Sequence, residues 1–70
     1  MDLKEKIEKA IESNDFTTLY LIFEDRYNKY PVQMARYIAF RNAEEEGLIS
    51  NEVTEAAKKY YGKLWNYTGD

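Results

Sequence analysis

Any chemistry in this chain must run on carboxylates, amines and phenols. Its 70 residues include thirteen Asp and Glu, ten Lys and Arg and seven Tyr, with no His and no Cys. A nucleophile activated by histidine, or a cysteine nucleophile, therefore cannot form. Zinc loses its commonest protein ligands for the same reason. Glu44, Glu45 and Glu46 suggest a cation site. Neighbouring helical residues fan apart by about 100°, so three in a row do not converge and instead make a solvated helix end. A hydrolytic carboxylate pair needs two acids facing across a pocket, and no spacing selects such a pair. There is no calcium-loop pattern and no glycine loop to cradle a phosphate. The residue types predict a chain that is not an enzyme, with no catalytic residue, cofactor or metal.

Binding chemistry is better represented. Eleven residues are aromatic, and Phe16, Tyr20, Phe23, Tyr27 and Tyr30 recur at the three- and four-residue steps of one helix face. Phe16, Phe23 and Phe40 are expected to fill the core. Tyrosine and tryptophan offer rigid area with a polar tip, which suits shallow pockets and interfaces. Tyr37, Tyr60, Tyr61 and Trp65 are the candidate interaction residues, with Lys58, Lys59 and Lys63 as a charged rim.

Four helices are expected to carry these groups in a single all-α domain over 1–70. The first covers 3–13: Asp2 caps it, Glu5 completes a capping box, and Leu3, Ile7, Ala10 and Ile11 share a face. Asp2–Lys6 and Glu5–Lys9 are spaced to pair. Asn14 suits a left-handed stop and Asp15 the next cap. The second helix covers 16–28, with Glu24 and Asp25 pointing away from its apolar stripe. Pro31 suits a first-turn position better than an interior one, so a break is expected at Tyr30-Pro31; one long kinked helix is the alternative. The third helix covers 32–46. Its wide apolar surface suits a central helix or an interface, and Ala35, Ala39 and Ala43 leave room for a neighbour. Gly47 should end it in a Schellman turn, with Leu48 and Ile49 holding the end against three unfavourably placed acids. Ser50 is the expected cap of the fourth helix. Val53, Ala56, Ala57, Tyr60, Tyr61 and Leu64 form its apolar side, with a bend at Gly62. Residues 66–70 read as a loose tail. Period-2 strand patterning is absent, and the architecture is a small bundle of three to four short helices, completed by dimerisation where helix surface remains uncovered.

The formal charge of −3 and pI near 4.9 disfavour nucleic acid and anionic membranes. The longest apolar run is residues 19–23, far short of a membrane span. The charged first residues lack the apolar stretch of a secretory signal, so the Asn66-Tyr67-Thr68 glycosylation pattern has no expected use. Without cysteine, a cytoplasmic protein is the default expectation. The leading functional expectation is a non-enzymatic protein–protein interaction or regulatory module, homodimeric through its third or fourth helix. One alternative is a DNA-associated domain using Lys58, Lys59 and Lys63, with Arg36 or Arg41 on the same face. Another is an acidic inhibitor that mimics nucleic-acid charge toward a basic protein, with acids 2, 5, 8, 12, 24, 25, 44, 45 and 46 in a stripe.

Overall fold

Asp2 starts the fold: its Oδ1 accepts from the Glu5 backbone N–H at 2.8 Å, and α1 (Leu3–Glu12) follows. The computed structural model describes residues 2–29 and 33–68. Ser13 closes α1, and Asn14 turns the chain at φ +53°, the left-handed region that Asn tolerates. The carboxylate of Asp15 then accepts from both the N–H (3.1 Å) and the hydroxyl (2.6 Å) of Thr18, capping α2 (Phe16–Tyr27).

Asn28 ends α2 in an extended conformation, so α2 and the next helix are separate. The expected break point at Tyr30-Pro31 and residue Val32 lie outside the described residues. Helix α3 (Arg36–Glu46) begins four residues later than the sequence pattern predicts, because the backbone of Met34 is engaged elsewhere. The Tyr20 hydroxyl donates to the Met34 carbonyl, and the Met34 N–H donates to Glu24 Oε2 at 3.3 Å. Glu24, expected to point away from the packed side, is half-buried and also accepts from the Tyr20 hydroxyl at 3.1 Å.

At the other end of α3, Gly47 adopts φ +85°. Its N–H reaches the Glu44 carbonyl and that of Leu48 reaches the Ala43 carbonyl, the two bonds of a Schellman end. Helix α4 (Asn51–Tyr61) follows. Ser50 stands at its N-cap with extended backbone, but its hydroxyl makes no capping bond; only its carbonyl is used, by Val53 and Thr54. Gly62, at φ +57°, stops α4 and starts a 3-10 turn over Gly62–Asn66. The turn carries Trp65 inward and leaves Leu64 exposed, the reverse of the expected helical register; Ala56 and Tyr60 are also exposed. Of the expected tail, Asn66 belongs to this turn, the Tyr67 carbonyl accepts from Arg36 Nη1 at 3.5 Å, and residues 69–70 lie outside the described residues.

The result is an all-α bundle with no strand among the described residues. Helix α3 lies between α2 and α4, α1 covers α2, and the 3-10 turn packs on α3 and α4. Ala35, Ala39 and Ala43 are buried, so neighbouring elements approach α3 closely. Phe40 is fully buried. Its ring meets Phe23 edge-on at 5.3 Å, Tyr61 at 6.3 Å and Trp65 at 5.6 Å.

A surface clamp joins α2 to the end of α3. The guanidinium of Arg26 donates to both oxygens of Glu46, and the Tyr27 hydroxyl donates to Oε1. This is the ion pair found among the described residues; the expected Asp2–Lys6 and Glu5–Lys9 pairs are not formed. The hydrogen bonds from Arg26, then Tyr27, pull the Glu46 carboxyl down to about 2. Burial and the same carboxylate push the Tyr27 phenol up to about 12.

Phe40→Ala is expected to lower stability by roughly 3–5 kcal/mol, enough to unfold much of a domain this small, whereas Leu64→Ala should change it by less than about 0.5 kcal/mol. Urea titration followed by circular dichroism measures both. Glu46 makes a second prediction. Its folded pKa lies below its ordinary value of 4.5, so its stabilisation is complete above that value and is lost as pH falls toward 2. The gap in melting temperature between wild type and Glu46→Gln should close over that interval.

Candidate functional site: a polar groove between α3 and α4

Residues of both central helices line a groove of about 300 Å³. From α3 come Tyr37, Arg41 and Glu44, spaced at four and three residues and so on one face. From α4 come Asn51, Thr54, Glu55 and Lys58, again at helical spacing. Trp65 forms part of the lining, its position fixed by rings behind it: Phe40 at 5.6 Å and Tyr61 at 6.4 Å. The groove thus combines a rigid aromatic element with charged and hydroxyl groups.

Five of its polar side chains, Tyr37, Arg41, Thr54, Glu55 and Lys58, have no hydrogen-bond or ion-pair partner among the described residues. Thr54 is only 5% exposed, and its hydroxyl is fully buried with no hydrogen bond. Leaving such a group unsatisfied costs about 1–3 kcal/mol. Arg41 and Lys58 make neither an ion pair nor a hydrogen bond among the described residues. Glu44, by contrast, is engaged: Asn51 Nδ2 lies 3.4 and 3.5 Å from its two oxygens. The acids of 44–46 therefore separate, with Glu44 in the groove and Glu46 in the α2–α3 clamp. No group of Asp and Glu among the described residues is arranged to hold a metal.

The groove gathers three of the seven predicted interaction residues. Tyr37 and Lys58 line it from opposite helices, and Trp65, expected as a surface ring, is 8% exposed and belongs to the core. Tyr61 is half-buried, and its hydroxyl donates to the Phe16 carbonyl at 2.9 Å. Burial raises its phenol above the ordinary value. Tyr60 is 60% exposed and rests on Phe16, ring to ring, at 5.2 Å. Lys59 and Lys63 are exposed outside the groove, and the break at Gly62 takes Lys63 out of the helical register of Lys59. Asn51, Thr54 and Glu55 complete the site with no functional expectation from the sequence, and Arg41, expected only in the DNA-associated alternative, joins them. The one signal in the sequence is a threonine set between Val53 and Ala57, on a buried helix side that could have been wholly apolar.

Arg36 is not part of a basic surface. Its guanidinium sits over the rings of Tyr20 at 4.8 Å and Tyr61 at 5.2 Å, a stacking that the planar, weakly hydrated cation favours. Its Nε is buried without a hydrogen bond. Of the acids in the expected stripe, Glu24 and Glu44 accept from neutral donors and Glu46 is paired with Arg26.

Neither a family model, nor a curated protein, nor a solved structure matches the chain. No helix of the described residues is long and apolar enough to cross a membrane.

Thr54→Val removes the orphaned hydroxyl and keeps the side-chain shape. It should leave the fold intact and raise stability by about 1 kcal/mol, measured by urea titration. A loss of that size would mean that the hydroxyl finds a bond in solution.

Proposed function

We propose that this domain is a non-enzymatic interaction module that receives a protein partner over the α3–α4 face. The observation that carries this reading is the set of uncommitted polar groups around a fixed aromatic element: Arg41, Lys58 and the Thr54 hydroxyl beside Tyr37 and Trp65. A second, shallower depression of about 200 Å³ continues the surface along α3 through Tyr37, Ile38 and Arg41. Ile38 is 37% exposed there, adding apolar area next to the polar groove. Apolar area beside oriented charge is the usual anatomy of a protein–protein contact. The net charge of −3 supports a protein partner over nucleic acid. A cytoplasmic, homodimeric state belongs to the same proposal; exposed Tyr60 and Leu64 on and after α4 supply the apolar surface for self-association.

A photo-crosslinking residue at Glu55, on the groove, should capture a discrete protein in cells, while the same residue at Lys6 on α1 should not. Equal capture from both positions would defeat the reading. Sedimentation equilibrium tests self-association. A dimer should form at micromolar concentration and weaken in Tyr60→Ala, with apparent stability rising with protein concentration. A mass of 8.3 kDa at every concentration would remove the dimer and leave the partner contact to be judged by crosslinking.

A further inference from the structure

Resting on the interaction reading, we propose that the α3–α4 groove is a carboxylate-binding site, which takes an Asp or Glu side chain of the partner at Arg41 and Lys58. Arg41 and Lys58 are the uncommitted cations of the groove, and Glu55 is its uncommitted acid. Arg41 offers a guanidinium fork and Lys58 an ammonium, both exposed donors, with the buried Thr54 hydroxyl behind them. Neither cation has a partner among the described residues. Of the two acids on the lining, Glu44 already has the Asn51 amide beside it, and Glu55 bonds to neither cation. A carboxylate from outside can bridge the two cations, and the Arg fork matches it in two parallel bonds.

Charge selects the carboxylate over a phosphate chain. Glu55 and Glu44 line the same groove as the two cations. A polyanion would meet both acids together with the negative balance of the whole chain, whereas a single carboxylate brings one charge against them. The occupant is also limited in size. Trp65 is held by Phe40 and Tyr61 and cannot retreat, so about 300 Å³ receives a side chain and its flanking backbone.

The experiment is a titration of the isotope-labelled protein, followed by NMR, with three probes: N-acetyl-glutamate amide, its N-acetyl-glutamine counterpart, and inorganic phosphate. The acid should give saturable shifts centred on Arg41, Thr54 and Lys58. The glutamine probe should bind roughly tenfold more weakly, since it lacks the charge-assisted bonds. Arg41→Gln should weaken the acid by a similar factor, and Thr54→Val by less; the spectrum of each variant shows whether it is folded. Equal binding of acid and amide, or unchanged binding in folded Arg41→Gln, overturns the proposal. Tighter binding of phosphate overturns it in favour of a phosphorylated ligand, and shifts spread over the lysines at large reduce it to nonspecific charge. If the acid fails while crosslinking from Glu55 succeeds, the carboxylate assignment falls and the interaction module stands.

Discussion

Phe40 holds this fold together because α2, α4 and the 3-10 turn all reach its ring from the one central helix. Phe23 approaches it from α2, Tyr61 from α4 and Trp65 from the turn after Gly62. The small side of α3, built from Ala35, Ala39 and Ala43, makes this approach possible. A chain of this length has few aliphatic residues to enclose, and its largest fully buried side chains are Phe23, Phe40 and Leu19. Each ring contributes area and an edge-to-face preference that fixes orientation as well as proximity. The position of Trp65, and with it the shape of the groove, follows from Phe40.

The tyrosines extend that core outward. Each of three phenols packs its ring and spends its hydroxyl on a different segment. Tyr20 holds the connection at Met34, Tyr27 meets Glu46 at the end of α3, and Tyr61 meets the Phe16 carbonyl at the start of α2. Such bonds fix the helices relative to one another where a phenylalanine would leave them free to slide. Arg36 completes the arrangement by lying over Tyr20 and Tyr61 at once. Tyr20 and Tyr61 are also edge-on to each other at 6.3 Å. The cation thus ties α3 to both α2 and α4 with no carboxylate involved.

The same economy explains where function can reside. Groups needed for the fold are satisfied by internal partners: Arg26 by Glu46, Tyr20 by Met34 and Glu24, the carboxylate of Asp15 by Thr18. Two buried groups depart from this pattern, Arg36 Nε and the Thr54 hydroxyl, and the second belongs to a residue of the α3–α4 groove. There a buried hydroxyl and two cations stand unused beside a packed tryptophan. A buried group left without a bond costs stability, and such a group at a groove asks for an explanation beyond the fold.

The helical class, the turn at Asn14-Asp15, the Schellman stop at Gly47 and the bend at Gly62 were legible in the sequence, because each depends on neighbours within a few residues. The same local signals misplaced the start of α3. Residues Met34 and Ala35 suit a helix on their own, and only the distant Tyr20 and Glu24 hold the Met34 backbone outside one. Sequence likewise named Tyr37, Lys58 and Trp65 but could not say that they share a groove. That required α3 and α4 to be placed side by side, and the residues that complete the site, Arg41 and Thr54, become partners only across that contact. Whether a ring is core or surface was equally a tertiary decision. Tyr60 and Tyr61 are adjacent in the chain, yet a rotation of about 100° per residue puts one on solvent and the other against Trp65. Local backbone preference fixes where helices turn and stop; which side chains meet is settled by how whole helices pack.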